Sequence, residues 1–203
     1  MVKREYIEWC DIWVTGASEA KSPRALLIGD SIARSYFGEV ERLLAGRFLC
    51  ARLTTSKCVC DPFFGRELEL LLDEYRFAVV HFNNGLHGWE YDEDAYRRSL
   101  PGAWDVIAAR SGGGALIWAH STPVRKARDL AVIDPNTERV RARNSIAAEI
   151  AAARGIPIDD LFAPMHDHPE YYSDDGVHFN AAGQAVLGAQ VSRSILAATG
   201  DGT

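Results

Sequence analysis

Three stretches of this sequence place side chains suited to hydrolytic chemistry where predicted elements meet loops: Gly29-Asp30-Ser31, His81-Phe82-Asn83 and Asp175-Gly176-Val177-His178. A serine hydroxyl becomes a useful nucleophile only when a base takes its proton, and imidazole has the ordinary pKa for that exchange near neutrality. A carboxylate three residues ahead of a histidine can fold back onto one ring nitrogen. The other nitrogen is then left as the acceptor that a serine needs. An amide at Asn83, ending an apolar run, can donate to a developing oxyanion, and so can the backbone N–H of Ser31 at a helix N-terminus. Each stretch also has a plainer reading. Ser31 or Asp30 can simply cap a helix, Asn83-Asn84-Gly85 is common turn chemistry, and the loop through Asp175 and His178 can be a solvated connector ahead of a capping Asn180.

The elements that must position these groups follow from periodicity. Ala25-Leu26-Leu27-Ile28 is a continuous apolar run ending at Gly29, as expected of a strand buried on both faces of a parallel sheet. Ile32, Tyr36, Val40, Leu43 and Leu44 then recur at helical spacing up to a stop at Gly46. The alternation repeats. Strands are predicted over 48–53, 77–82, 115–118 and 156–158, and helices over 67–75, 93–109, 137–154 and from Asn180 to about Ala198. Strands alternating with helices imply right-handed parallel crossovers, hence a three-layer α/β/α sandwich around a roughly five-stranded parallel sheet. Ligands of such sheets sit at the carboxyl ends of the strands, where Ser31 and Asn83 fall. Trp9, Ile12 and Trp13 predict that residues 1–23 form an extension packed on the body.

With 203 residues, 47% of them hydrophobic and 25% charged, the chain fits one globular domain over 1–203. A net charge of −6 without any basic run argues against a nucleic-acid partner. No stretch is long and apolar enough to read as a membrane span or secretion signal, so a cytoplasmic location is expected and a membrane partner is not. Cys10, Cys50, Cys58 and Cys60 are too few and too irregular for a disulfide scaffold; the Cys58-x-Cys60 pair lacks a second pair at zinc-site spacing.

Taken together, the blocks at Ser31, Asn83 and Asp175 to His178 resemble those of the SGNH/GDSL hydrolase family, in its order and over nearly the whole chain. The resemblance implies a flavodoxin-like domain and a serine esterase that needs no cofactor. It makes Ser31 the nucleophile, His178 and Asp175 the rest of the triad, and Asn83 an oxyanion donor beside the Ser31 N–H. Two features depart from the pattern. The family takes a glycine N–H from the loop after the second strand, but here that loop reads Thr54-Thr55-Ser56-Lys57-Cys58-Val59-Cys60-Asp61, so Ser56 or Lys57 is the expected donor. Phe82-Asn83-Asn84 stands where Gly-x-Asn-Asp is usual, making Asn84 a rival to Asn83, which is preferred because Gly85-Leu86-His87-Gly88 follows at family-like spacing.

Trp89, His120 and Tyr172 are the expected substrate-binding residues, with Tyr91 and Trp118 on neighbouring segments; aromatic rings there can stack on a sugar or cover an acyl group, or serve as core. The polar surroundings and the lack of a long apolar lid point to a short acyl group, such as acetate on a carbohydrate. A thioesterase or lysophospholipase on the same scaffold, or a glycan-binding module that has lost the reaction, are the alternatives. A metal hydrolase built on His166, His168 and a nearby Asp is a third.

Overall fold

The computed structural model describes residues 2–200; Met1 and positions 201–203 of the expected domain lie outside the described residues. In chain order the elements are β1 (Cys10–Val14), β2 (Arg24–Gly29), α1 (Ser31–Leu43), β3 (Leu49–Thr55), α2 (Pro62–Leu72), β4 (Val79–Phe82), α3 (Glu93–Arg110) and β5 (Ala115–Ala119). A small hairpin of β6 (Arg125–Lys126) and β7 (Asp129–Ile133) comes next, then α4 (Asn136–Arg154), β8 (Ile158–Asp159), α5 (Ala163–His166), a 3-10 turn (Pro169–Tyr171) and α6 (Ala181–Ala198).

Among the described residues the main sheet has six strands in the order β1-β3-β2-β4-β5-β8. The five strands expected from the apolar runs are the parallel ones. The sixth, β1, pairs antiparallel with β3, from Cys10 against Thr55 to Val14 against Ala51. Periodicity gave no sign of it, because Ile12 and Trp13 remain exposed and the segment is held largely by main-chain hydrogen bonds.

The strand pleat sends alternate side chains of β2 into two different cores. Ala25 and Leu27 pack with Tyr36, Val40, Leu187 and Val191 of α1 and α6, whereas Leu26 and Ile28 pack with Phe64, Leu68, Trp104 and Ile107 of α2 and α3. Each fully buried large apolar side chain contributes about 1.5–3 kcal/mol, so the sheet is anchored on both faces. Helix α2 begins earlier than expected. Asp61 caps it by accepting from the Phe63 N–H at 2.8 Å, and Pro62 fills a first-turn position that needs no N–H partner.

The register aligns the carboxyl ends of the central strands, with Gly29 of β2 opposite Thr54 of β3, Ile28 opposite Phe82 of β4, and Phe82 opposite Trp118 of β5. Ser31, Ser56, Asn83 and His120 therefore leave one edge of the sheet.

Candidate active site

Ser31 is the first residue of α1, so its N–H belongs to the group of donors that the helix itself cannot satisfy. Asp30 caps the helix, its Oδ1 accepting from the Ile32 N–H at 2.8 Å. The cap and the serine are thus adjacent residues with separate tasks. The turn from β2 into α1 is tight: a Cβ on Gly29 would lie 2.6 Å from the Cβ of Ala33, so only glycine lets the helix start so close to its strand.

The Ser31 Oγ lies 2.8 Å from Nε2 of His178, a residue 147 positions later in the chain. On the other side of the ring, Nδ1 lies 2.6 Å from Asp175 Oδ2. A carboxylate only accepts, so Nδ1 carries the proton and Nε2 presents its lone pair to the serine. Asp175 Oδ1 accepts from the N–H groups of Val177 and His178, both at 2.9 Å, which locks the loop around the carboxylate. Burial works to raise the Asp175 pKa, but the hydrogen bonds from the His178 ring and from these two backbone groups outweigh it and hold the carboxyl below its ordinary value.

This loop rests on the β6–β7 hairpin. Arg125 N–H donates to Gly176 O at 2.7 Å and Arg128 N–H to Asp174 O at 2.8 Å. Gly176 has φ +73°, and a Cβ there would fall 2.1 Å from the Arg125 carbonyl oxygen, so the close approach requires glycine twice over. The sequence gave no warning of the hairpin. Its first strand has two residues, too few for alternation to register.

Around the remaining expected oxyanion donors the structure separates the candidates. Asn83 follows β4 and is buried; its Nδ2 donates to Ala119 O at 2.8 Å and to Ser121 Oγ at 3.2 Å. The longer of these leads to a hydroxyl, the weaker hold on that hydrogen. Asn84 turns elsewhere. Its Oδ1 accepts from Val59 N–H at 3.1 Å and its Nδ2 donates to Lys57 O at 3.0 Å, so it staples the loop after β3.

Ser56 must be corrected as an oxyanion donor. Its N–H donates to Trp9 O at 3.1 Å and its hydroxyl accepts from Trp9 N–H at 2.9 Å, so both groups secure the N-terminal segment alongside β3. Lys57 is no substitute, because its N–H donates to Thr55 Oγ1 at 3.1 Å.

Of the expected substrate-binding residues, Tyr172 is likewise corrected. It is 4% exposed, its hydroxyl donates to Pro123 O at 3.0 Å, and its ring packs on Phe179 with centroids 4.6 Å apart. Trp118 is fully buried between Phe82 and Trp104. Trp89 and Tyr91 line a cavity of about 410 Å³ together with His87 and residues of the N-terminal segment, Lys3 to Tyr6. His120 lines a much smaller cavity, of about 10 Å³, with Ile32 and Asn83.

His166 and His168 face Asp167 and Glu170, respectively, and no group of three His, Cys, Asp or Glu side chains among the described residues is placed to hold a metal ion. No helix among these residues is long and apolar enough to cross a membrane.

Two residues of α4 that pattern reading passed over hold the edge in shape. Arg143 is almost fully buried and donates to Gly85 O at 3.0 Å, His87 O at 2.7 Å and Gly88 O at 3.1 Å, fixing the loop that follows Asn83. Asn144 clamps Ser121 from both sides, accepting from its N–H and donating to its carbonyl, each at 2.9 Å. An arginine and an asparagine on a polar, Ala-rich helix look solvent-facing in sequence. Only the loop carbonyls they meet mark them out.

No protein-family model matches the chain, and no curated protein matches it significantly. Solved structures do. A GDSL-like lipase from Bacteroides thetaiotaomicron is similar with a TM-score of 0.72 at 17% identity, over 90% of this chain and 94% of the other. An acetylxylan esterase from Geobacillus stearothermophilus is similar with a TM-score of 0.67 at 16% identity, over 85% and 94%. A lipase/acylhydrolase from Enterococcus faecalis gives 0.64 at 20% identity, over 85% and 95%. At such identities the likeness is one of fold, and the fold is that of the SGNH/GDSL hydrolases.

Proposed function

We propose that this chain, built on the SGNH hydrolase fold, is a serine esterase that cleaves short-chain carboxylic esters through an acyl-enzyme on Ser31. One observation carries the reading: the run of contacts from Asp175 to His178 to Ser31, at 2.6 and 2.8 Å, with the imidazole in the tautomer that accepts a proton. In the first half-reaction Ser31 Oγ bonds to the ester carbonyl carbon while His178 Nε2 takes the hydroxyl proton. The carbonyl–alkoxy bond then breaks, and the same proton goes to the departing alcohol. In the second, a water gives its proton to His178, its oxygen attacks the acyl carbon, and the acid leaves as Ser31 recovers the proton. Throughout, Asp175 stays ionised and holds the ring.

The oxyanion is met by the Ser31 N–H at the start of α1 and by the Asn83 amide, which turns one hydrogen from Ser121 Oγ to the substrate. A donor of this kind is worth about 100-fold to 1000-fold in rate. Two cavities support the choice of substrate. The small one beside Ile32 and Asn83 has a volume of about 10 Å³, room for one oxygen-sized atom beyond a short acyl group and none for a lipid tail. The larger one, with Trp89 and Tyr91 on its wall, shares Leu86 with the small one and is of a size to receive an alcohol such as a sugar.

The test is covalent labelling with a fluorophosphonate together with release of acetate from an aryl acetate. Both are expected in the wild type and both are lost in Ser31→Ala. The hold on Asn83 by Ala119 and Ser121 favours one rival, a glycan-binding module without turnover. That module would bind acetylated oligosaccharide while resisting the label.

A further inference from the structure

The cavity of about 10 Å³ is lined by Ile32, Asn83, Leu86, His120, Thr122 and Leu161, among others. Ile32 follows the nucleophile in the chain and Asn83 is the proposed oxyanion donor, so two of its walls adjoin the proposed site, although Ser31, Asp175 and His178 do not themselves line it. Its volume is that of one water-sized oxygen, for which about 10–15 Å³ is needed.

Its wall is not purely apolar. Thr122 is 2% exposed, and neither its Oγ1 nor the Nε2 of His120 has a hydrogen-bond partner among the described residues. Buried polar atoms are nearly always paired, so two orphans on one small cavity call for a shared guest. The chemistry of that guest follows from the surroundings. His120 Nδ1 lies 3.2 Å from Asp160 Oδ1, an oxygen that also accepts from the N–H of Phe162 at 3.0 Å. Nδ1 therefore carries the ring proton and Nε2 offers a lone pair. Thr122 adds a hydroxyl that can donate. The seat is rigid, since Asn144 clamps the adjoining Ser121 through both its N–H and its carbonyl. An acceptor and a donor around one atom's space fit an oxygen that bears a hydrogen.

We infer that this cavity is the end of the acyl subsite and binds a single O–H group: a water beside an acetyl group, or the α-hydroxyl of a glycolyl group in its place. The assignment rests on the esterase reading and adds a rule of acyl selection to it. Acetyl leaves the water seated. Glycolyl replaces it, its hydroxyl donating to His120 Nε2 and accepting from Thr122. Propionyl has nearly the same shape as glycolyl, but its terminal methyl expels the water and leaves both polar atoms unpaired, the situation in which sites built for a hydroxyl reject the analogue lacking it.

The experiment compares aryl acetate, glycolate and propionate, each kcat/KM divided by the rate of hydroxide-catalysed hydrolysis of the same ester. The corrected glycolate value is expected to exceed that of propionate by at least about 10-fold, and Thr122→Val and His120→Leu are each expected to bring the ratio towards one. A wild-type ratio of one or below overturns the inference without need of any variant, and so does a ratio unchanged in folded Thr122→Val. Acetate turnover surviving in Ser31→Ala overturns the esterase reading instead, whatever the ratio. If the acetyl and glycolyl esters are both good substrates, a solved structure should show water in the cavity with acetate bound and the glycolyl oxygen there with glycolate.

Discussion

His178 with Asp175 and His81 with Asp159 are the same two side chains in contact, 2.6 Å apart in one pair and 2.9 Å in the other, yet their surroundings give them opposite work. The pair at His81 is closed off, with side chains 0% and 2% exposed in the middle of the sheet, whereas the pair at His178 is about half exposed at its rim. The second nitrogen decides. Nδ1 of His81 meets no partner among the described residues, while Nε2 of His178 meets a serine hydroxyl. A histidine held by a carboxylate therefore recurs in this molecule, and under the proposed function it is what the free nitrogen faces that separates the structural pair from the reactive one.

The largest effect expected from breaking this contrast is on turnover. Ser31→Ala and His178→Ala should each lower kcat/KM for an aryl acetate by about ten-thousand-fold or more, and Asp175→Asn should approach that loss through the wrong tautomer. Thermal melting should move little, because these side chains bury little surface. Next, His81→Ala should cost about 1–3 kcal/mol in urea denaturation by taking one hydrogen-bond partner from the buried Asp159 carboxylate, which keeps Gln190, while kcat per folded molecule stays near the wild-type value.

A smaller effect concerns acid. Burial pushes the Asp159 carboxyl upward, but the hydrogen bond and charge of His81, with Gln190 and Ser194, hold it below its ordinary value. The native state thus binds that proton more weakly than the unfolded chain. Its contribution is complete above the unfolded pKa of about 3.9 and is lost as pH falls through the lower native value. Urea midpoints taken from about pH 6 downwards should fall more steeply below about pH 4 in the wild type than in Asp159→Asn. Asp175 acts in the same direction, more weakly for its exposure to solvent. Smallest of all, Tyr172→Phe should remove about 1 kcal/mol by leaving the Pro123 carbonyl unpaired, with KM unchanged; a raised KM would restore Tyr172 to the substrate site.

The parallel strands were legible because Ala25 to Ile28 are buried on both faces and so form an unbroken apolar run. Ser31, Asp175 and His178 stood out as residue types at strand and helix ends, where the fold brings the two segments together. What local pattern could not convey was pairing at a distance. Ser56 looked like a donor until its N–H met the carbonyl of Trp9, 47 positions earlier. Tyr172 looked like a pocket residue until its hydroxyl met Pro123, 49 positions away. Strand β1 was hidden because main-chain bonds, not alternating apolar side chains, hold it. Arg143 and Asn144 belong to the same class, since their partners are loop carbonyls and amides that no spacing rule encodes.

The 147 positions between Ser31 and His178 also bear on how the protein comes into being. A ribosome delivers the serine early and the imidazole late, and the two can meet only after the loop ahead of α6 has been made, in a fold where α6 packs beside α1. Until then the nascent polypeptide carries an ordinary alcohol, too weak a nucleophile to take an acyl group from an ester. On the proposed function, reactivity is thereby tied to the meeting of these two segments, and a chain halted before it holds only an unactivated serine.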